Sequence, residues 1–91
     1  MIQRTRVLYT GHVQGVGFRA TTLDLANNRD VVGFVRNLSD GRVELEAEGD
    51  AEEIADLLKA IDRALGSHIR DRVRHDETIV AATMSRFHVR Q

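Results

Sequence analysis

A run of nine residues, Gly11-His12-Val13-Gln14-Gly15-Val16-Gly17-Phe18-Arg19, has the make-up of a loop that holds an anion. Glycines at positions 11, 15 and 17 free the backbone so that loop N–H groups can converge on one point. Arg19 closes the run with a permanent charge, and its planar fork matches the oxygens of a phosphate or carboxylate. Ahead of the run, Arg4 to Thr10 reads as a strand; behind it, ATTLDLANN reads as a helix. A helix N-terminus adds unpaired N–H groups and a positive dipole end, so strand, loop and helix together make an oxyanion site. An arginine in a first helical turn opposes that dipole, and a bound anion turns the conflict into an attraction. The loop is therefore read as binding a phosphoryl group. Its partner is an asparagine, Asn37, in the later run GFVRNLSDGRV.

Other phosphate and catalytic patterns are missing. The glycine order is not the G-x-G-x-x-G of dinucleotide binding, and no Gly-Lys-Ser/Thr closes a nucleotide P-loop. The four histidines, His12, His68, His75 and His88, lack metal-ligand spacing and read as surface residues, with His12 bordering the loop. No cysteine is present, which removes disulfides, thiolate metal sites and cysteine nucleophiles. Tyr9, Ser39 and Ser67 read as structural or turn residues, and Val13, Val16 and Phe18 as core.

The 91 residues suit one domain, residues 1–91, with a single core. With 42% hydrophobic and 30% charged residues the composition is that of a globular protein, and the net charge of -1 gives no reason to expect a nucleic-acid partner. No apolar run suits a signal peptide or a membrane span, so a cytoplasmic monomer without membrane contact is the default expectation.

The elements that must position the loop alternate in period. Residues 4–10 form a first strand and 18–28 a helix, with Leu25 and Ala26 at helical spacing from Thr22. Asparagine tolerates the left-handed cap conformation, so the helix is expected to stop at Asn27-Asn28. Val31 to Asn37 is a second strand, Ser39-Asp40-Gly41 a turn, and Val43 to Glu48 a third strand. The third strand puts its glutamates on one face, which reads as solvated. Asp50 and Glu53 have capping-box spacing, followed by an apolar stripe of Ile54, Leu57, Leu58, Ile61 and Leu65 and a capping Gly66. Residues 69–76 alternate as a weaker strand with Arg70, Arg72 and Arg74 on one face, and Phe87 to Arg90 as a last one; Thr78 to Thr83 stays open.

The order β-α-β-β-α-β predicts an α+β, ferredoxin-like sandwich, with two helices on one face of a four- to five-stranded antiparallel sheet. Right-handed crossovers place the first and third strands at its centre.

The Gly11 to Arg19 string resembles the phosphate-loop signature of the acylphosphatases, and Gly33-Phe34-Val35-Arg36-Asn37 with Asp40-Gly41-Arg42-Val43 resembles that family's second signature. The separation of Arg19 from Asn37 matches too, as does the C-terminal Phe87-His88-Val89-Arg90, so the resemblance covers essentially the whole chain. Phe34, where tryptophan is frequent, and Asn28-Arg29-Asp30, where a glycine cap is common, depart from the pattern outside the chemistry.

The resemblance implies hydrolysis of small acyl phosphates to a carboxylate and inorganic phosphate, with no metal or other cofactor and with phosphate as product and inhibitor. It implies Arg19 as the phosphate-binding arginine and Asn37 as the residue orienting the attacking water. It also implies a cradle made by the backbone N–H groups of Gln14, Gly15, Val16, Gly17, Phe18 and Arg19, and proton transfer assisted by the substrate's own phosphate. The residues suit that chemistry. A carboxylate leaves without much acid help, and phosphoryl transfer depends on positioning and on charge at the equatorial oxygens. Two other readings stand beside it. One is the acylphosphatase-like module that opens larger carbamoyl-transfer maturation proteins, against which a length of 91 residues is taken to argue. The other is a non-catalytic ferredoxin-like binding domain, against which the presence of both Arg19 and Asn37 weighs; for a single-stranded RNA reader of that fold the chain is short of aromatics and positive charge.

Overall fold

The computed structural model describes residues 1–91. Strand β1 (Ile2–Gly11) leads into helix α1 (Phe18–Asn27) and strand β2 (Val31–Asn37). Strand β3 (Val43–Gly49), helix α2 (Ala51–Leu65), a short 3-10 turn (Gly66–His68), β4 (Ile69–Ile79) and β5 (Phe87–Arg90) follow. The strands lie in the order β4-β1-β3-β2-β5. Pairing is antiparallel throughout the first four, as expected, but β5 runs parallel to β2, with Val89 opposite Val35. The sheet is therefore mixed. β5 reaches β2 by crossing the end of the sheet through residues 80–86, so it arrives in the same direction as its neighbour.

Alternation in the strands sends Val7, Tyr9, Val35, Leu45 and Ala47 toward the helices, where they meet Phe18, Ala26, Ile54, Leu57, Ile61 and Leu65 in one core. On α2 the stripe is real, with Leu57 at 0% exposure, but Leu58 is only half-buried and Ala60 takes the inner place. On α1 the inner line is Phe18, Thr22 and Ala26, and the Thr22 hydroxyl is buried without a hydrogen-bond partner. Beyond the helices β4 projects with residues 70–78 exposed. Arg72 is paired with Asp62 and Arg74 with Asp76 there.

Three local expectations fail. Asp50 caps α2 without a side-chain hydrogen bond, and the reciprocal half of the capping box is missing too, because the Glu53 carboxylate accepts from the Asp30 backbone N–H instead. Asn28 ends α1 at φ -91 rather than left-handed; its side chain bonds back to the Asp24 carbonyl and makes the reversal unnecessary. Gly66 is right-handed because the chain continues into the 3-10 turn.

The glutamate face of β3 is not solvated. Glu44 is buried between Arg6 and Arg36, and Glu48 accepts from Thr83 N and Oγ1, Met84 N and Arg4. Burial pushes both carboxyls up, and these donors outweigh it, leaving both below the usual range. Thr83 and Met84 over Glu48, and Arg6 and Arg36 around Glu44, are the cover that the alternating pattern of β3 does not reveal.

Candidate active site

The loop between β1 and α1 is where the expected residues meet. Gly15 (φ 80) and Gly17 (φ 77) both take left-handed backbone, which side-chain-bearing residues rarely adopt. Gly17 is also the N-cap of α1, and its carbonyl accepts from Thr21. From Gln14 to Arg19 no backbone N–H donates to a protein acceptor: the loop residues make no such bond, and the first-turn donors of α1 lie ahead of its ladder. Unpaired donors are thus gathered at one helix end, where the dipole favours negative charge.

Arg19 leaves the first turn half-exposed and forms no ion pair with any carboxylate. Asn37, the last residue of β2, shares the helix-side face with Val35 by strand alternation and lies opposite Val43 on β3. Arg19, Asn37, Gly15 and Gly17 line one cleft of about 440 Å³, with Leu23 and Val89 on its apolar side. Val13 and Phe18 are buried beneath it, as expected of core residues, and Val16 packs partly against them. Tyr9 packs on Phe18 with ring centroids 5.1 Å apart; burial pushes its phenol up, so it stays neutral and structural.

Gln14 does more than lend a backbone N–H. Its side-chain Nε2 donates to the carbonyls of Leu38 at 2.8 Å and Arg42 at 2.9 Å, on the turn that follows Asn37. That turn is closed by Leu38 N–H on the Arg42 carbonyl and braced by Asp40, which bonds both the backbone and the guanidinium of Arg42. The sequence carries no signal for this clamp beyond a glutamine inside a glycine run. His12 borders the loop as expected, exposed and with its ring 6.5 Å from that of His68.

The chain is thus a ferredoxin-like α+β domain with a donor-lined cleft at one helix end. The acylphosphatase family model matches residues 5–89. A relative from Bifidobacterium longum named acylphosphatase is 41% identical over 97% of this chain and 92% of its own length. One of the same name from Methylococcus capsulatus is 53% identical over 63% of this chain and 62% of its own, so that match spans less than two thirds of the relative. Among solved structures, the crystal structure of acylphosphatase from Bacillus subtilis superposes with a TM-score of 0.88 at 32% identity, covering 100% of both chains. This chain belongs to the acylphosphatase family.

Proposed function

We propose that this chain, acting as a single domain of residues 1–91, hydrolyses the carboxyl-phosphate bond of small acyl phosphates without a metal or cofactor. The observation that carries the reading is the run of unpaired N–H groups from Gln14 to Arg19, beside an unpaired guanidinium and the Asn37 amide, which makes no hydrogen bond of its own. The loop N–H groups and Arg19 hold the three non-bridging phosphoryl oxygens and stabilise the charge that spreads over them as the bond loosens. Asn37 accepts from a water and aims its oxygen at phosphorus. The new P–O bond forms as the acyl oxygen departs with its bonding pair as a carboxylate. The water's proton passes to a phosphoryl oxygen, leaving dihydrogen phosphate, so no protein group has to act as a strong base. Inorganic phosphate, as product, occupies the same loop and inhibits.

The reading includes a monomer acting in the cytoplasm, with no nucleic-acid or membrane partner. No helix is long and apolar enough to cross a membrane. The test is benzoyl phosphate hydrolysis in the presence of a chelator, with inorganic phosphate as competitor. Turnover that survives chelation and is competitively inhibited by phosphate supports the mechanism. Loss of turnover on chelation overturns its metal independence, and no turnover in either condition overturns the activity.

A further inference from the structure

The cleft is larger than a phosphoryl group needs, and its remaining wall has a chemical character. Arg19 and Leu23 lie four residues apart on α1, one above the other on a single face, with Ala20 three residues before Leu23. Val89, opposite Val35 on β5, projects from the sheet on the helix side and is 38% exposed, although residues on that face are mostly core. Ala20, Leu23 and Val89 all line the cleft, and Arg19 is the only charged side chain among its lining residues. Once Arg19, the loop N–H groups and Asn37 are engaged by phosphate and water, what faces the rest of a substrate is mainly Ala20, Leu23 and Val89, with the uncharged Gln91 as the one remaining polar side chain.

Building on the acyl phosphate reading above, we infer that Ala20, Leu23 and Val89 form the acyl-binding wall, and that the chain favours acyl phosphates with uncharged apolar acyl groups. A second carboxylate would be stripped of water against Leu23 and Val89, with its only nearby cation already committed to the phosphoryl group. A methyl group alone would leave most of the wall wet. Each methylene laid on the wall should raise kcat/KM by roughly 2- to 4-fold, the lower end applying where coverage is partial.

A straight-chain series of acetyl, propionyl, butyryl and hexanoyl phosphate tests this, because the departing carboxylates are close in basicity and the bond broken is the same. The wild-type chain should show kcat/KM climbing along the series, mainly through KM. Leu23→Ala and Val89→Ser should both flatten the climb. Val89→Lys should move preference toward succinyl phosphate, whose second carboxylate then gains a partner. Val89 sits at the surface, so its variants keep the test alive if Leu23→Ala does not fold. A flat series in the wild type, or the same slope in folded Val89→Ser, overturns the wall while leaving acyl phosphate hydrolysis standing. Failure to hydrolyse any member overturns the activity, and the wall with it.

Discussion

The side-chain amide of Gln14 donates to the backbone carbonyl of Leu38 at 2.8 Å, so the glycine loop and the residue next to Asn37 are held by one glutamine. With its second bond to Arg42, Gln14 sets the spacing between the loop proposed to hold the phosphoryl group and the residue proposed to hold water. Gln14→Ala removes both donations, and Gln14→Glu replaces them with a carboxylate facing two carbonyl oxygens. Turnover should fall roughly 10–100-fold in either, the cost of a small misplacement of reacting groups. Phosphate inhibition should change much less in Gln14→Ala, since the loop N–H groups remain. Parallel losses of kcat and phosphate affinity in that variant would instead mean that the loop itself has collapsed.

Arg19 and Asn37 should fail differently. Arg19 is proposed to meet the phosphoryl oxygens before and during bond cleavage, so Arg19→Ala should lose phosphate affinity and most turnover together. Arg19→Lys should rescue little, because a point charge does not replace the planar fork. Asn37→Ala should bind phosphate nearly as the wild type does while turnover falls by roughly 10²–10³-fold. Wild-type turnover in Asn37→Ala would remove the water-orienting role.

Acid should loosen the open face of the sheet. Burial alone would raise the Glu44 and Glu48 carboxyls, but their folded-state pKa values are lowered because Arg6 and Arg36 at Glu44, and the Thr83 hydroxyl, backbone N–H groups and Arg4 at Glu48, outweigh it. Their stabilisation is therefore fully present above the unfolded glutamate value of about 4.3 and is lost as pH falls through the lower folded values. Urea midpoints should hold near neutrality and drop as pH falls below about 5. Glu48→Gln should start lower at pH 7 and drop less across that window. An acid limb of the same depth in both proteins would assign the loss to other groups.

Two core substitutions should move stability in opposite directions. Leu57 is fully buried, so Leu57→Ala should cost roughly 2–5 kcal/mol in denaturant unfolding. Leu58→Ala should cost clearly less, since that side chain is half-buried. Thr22→Val replaces a buried, unpartnered hydroxyl with a methyl of similar size and should add about 1 kcal/mol. A destabilised Thr22→Val would show that the hydroxyl has a partner in solution.

Much of this site is local and could be read directly. Glycines at 15 and 17, a helix start and Arg19 are neighbours in the chain, and their conformations follow from residue type. The stripe of α2 likewise declares its inner face at helical spacing. What escaped reading lies in long-range partners. The glutamates of β3 look wet until Thr83 and Met84 close over Glu48 and two arginines enclose Glu44. Glu53 reads as half of a capping box, but it is taken by Asp30, and Gln14, expected to lend only its backbone N–H, also bonds the turn after β2 through its side chain. The parallel arrival of β5 depends on the path of residues 80–86, which has no periodicity to read.

The entrance to the glycine loop is anchored late in the chain: Gly11 pairs with Ile69, and the His12 N–H donates to the His68 carbonyl at 2.9 Å. A nascent chain thus carries the whole glycine motif long before it has anything to hold that motif still. Helix α1 can form early, but the loop in front of it gains its second anchor only when β4 closes against β1, a contact between distant segments of the kind that slows folding. Catalysis recovered after dilution from denaturant should accordingly appear with the last long-range step, with no partly active species ahead of it.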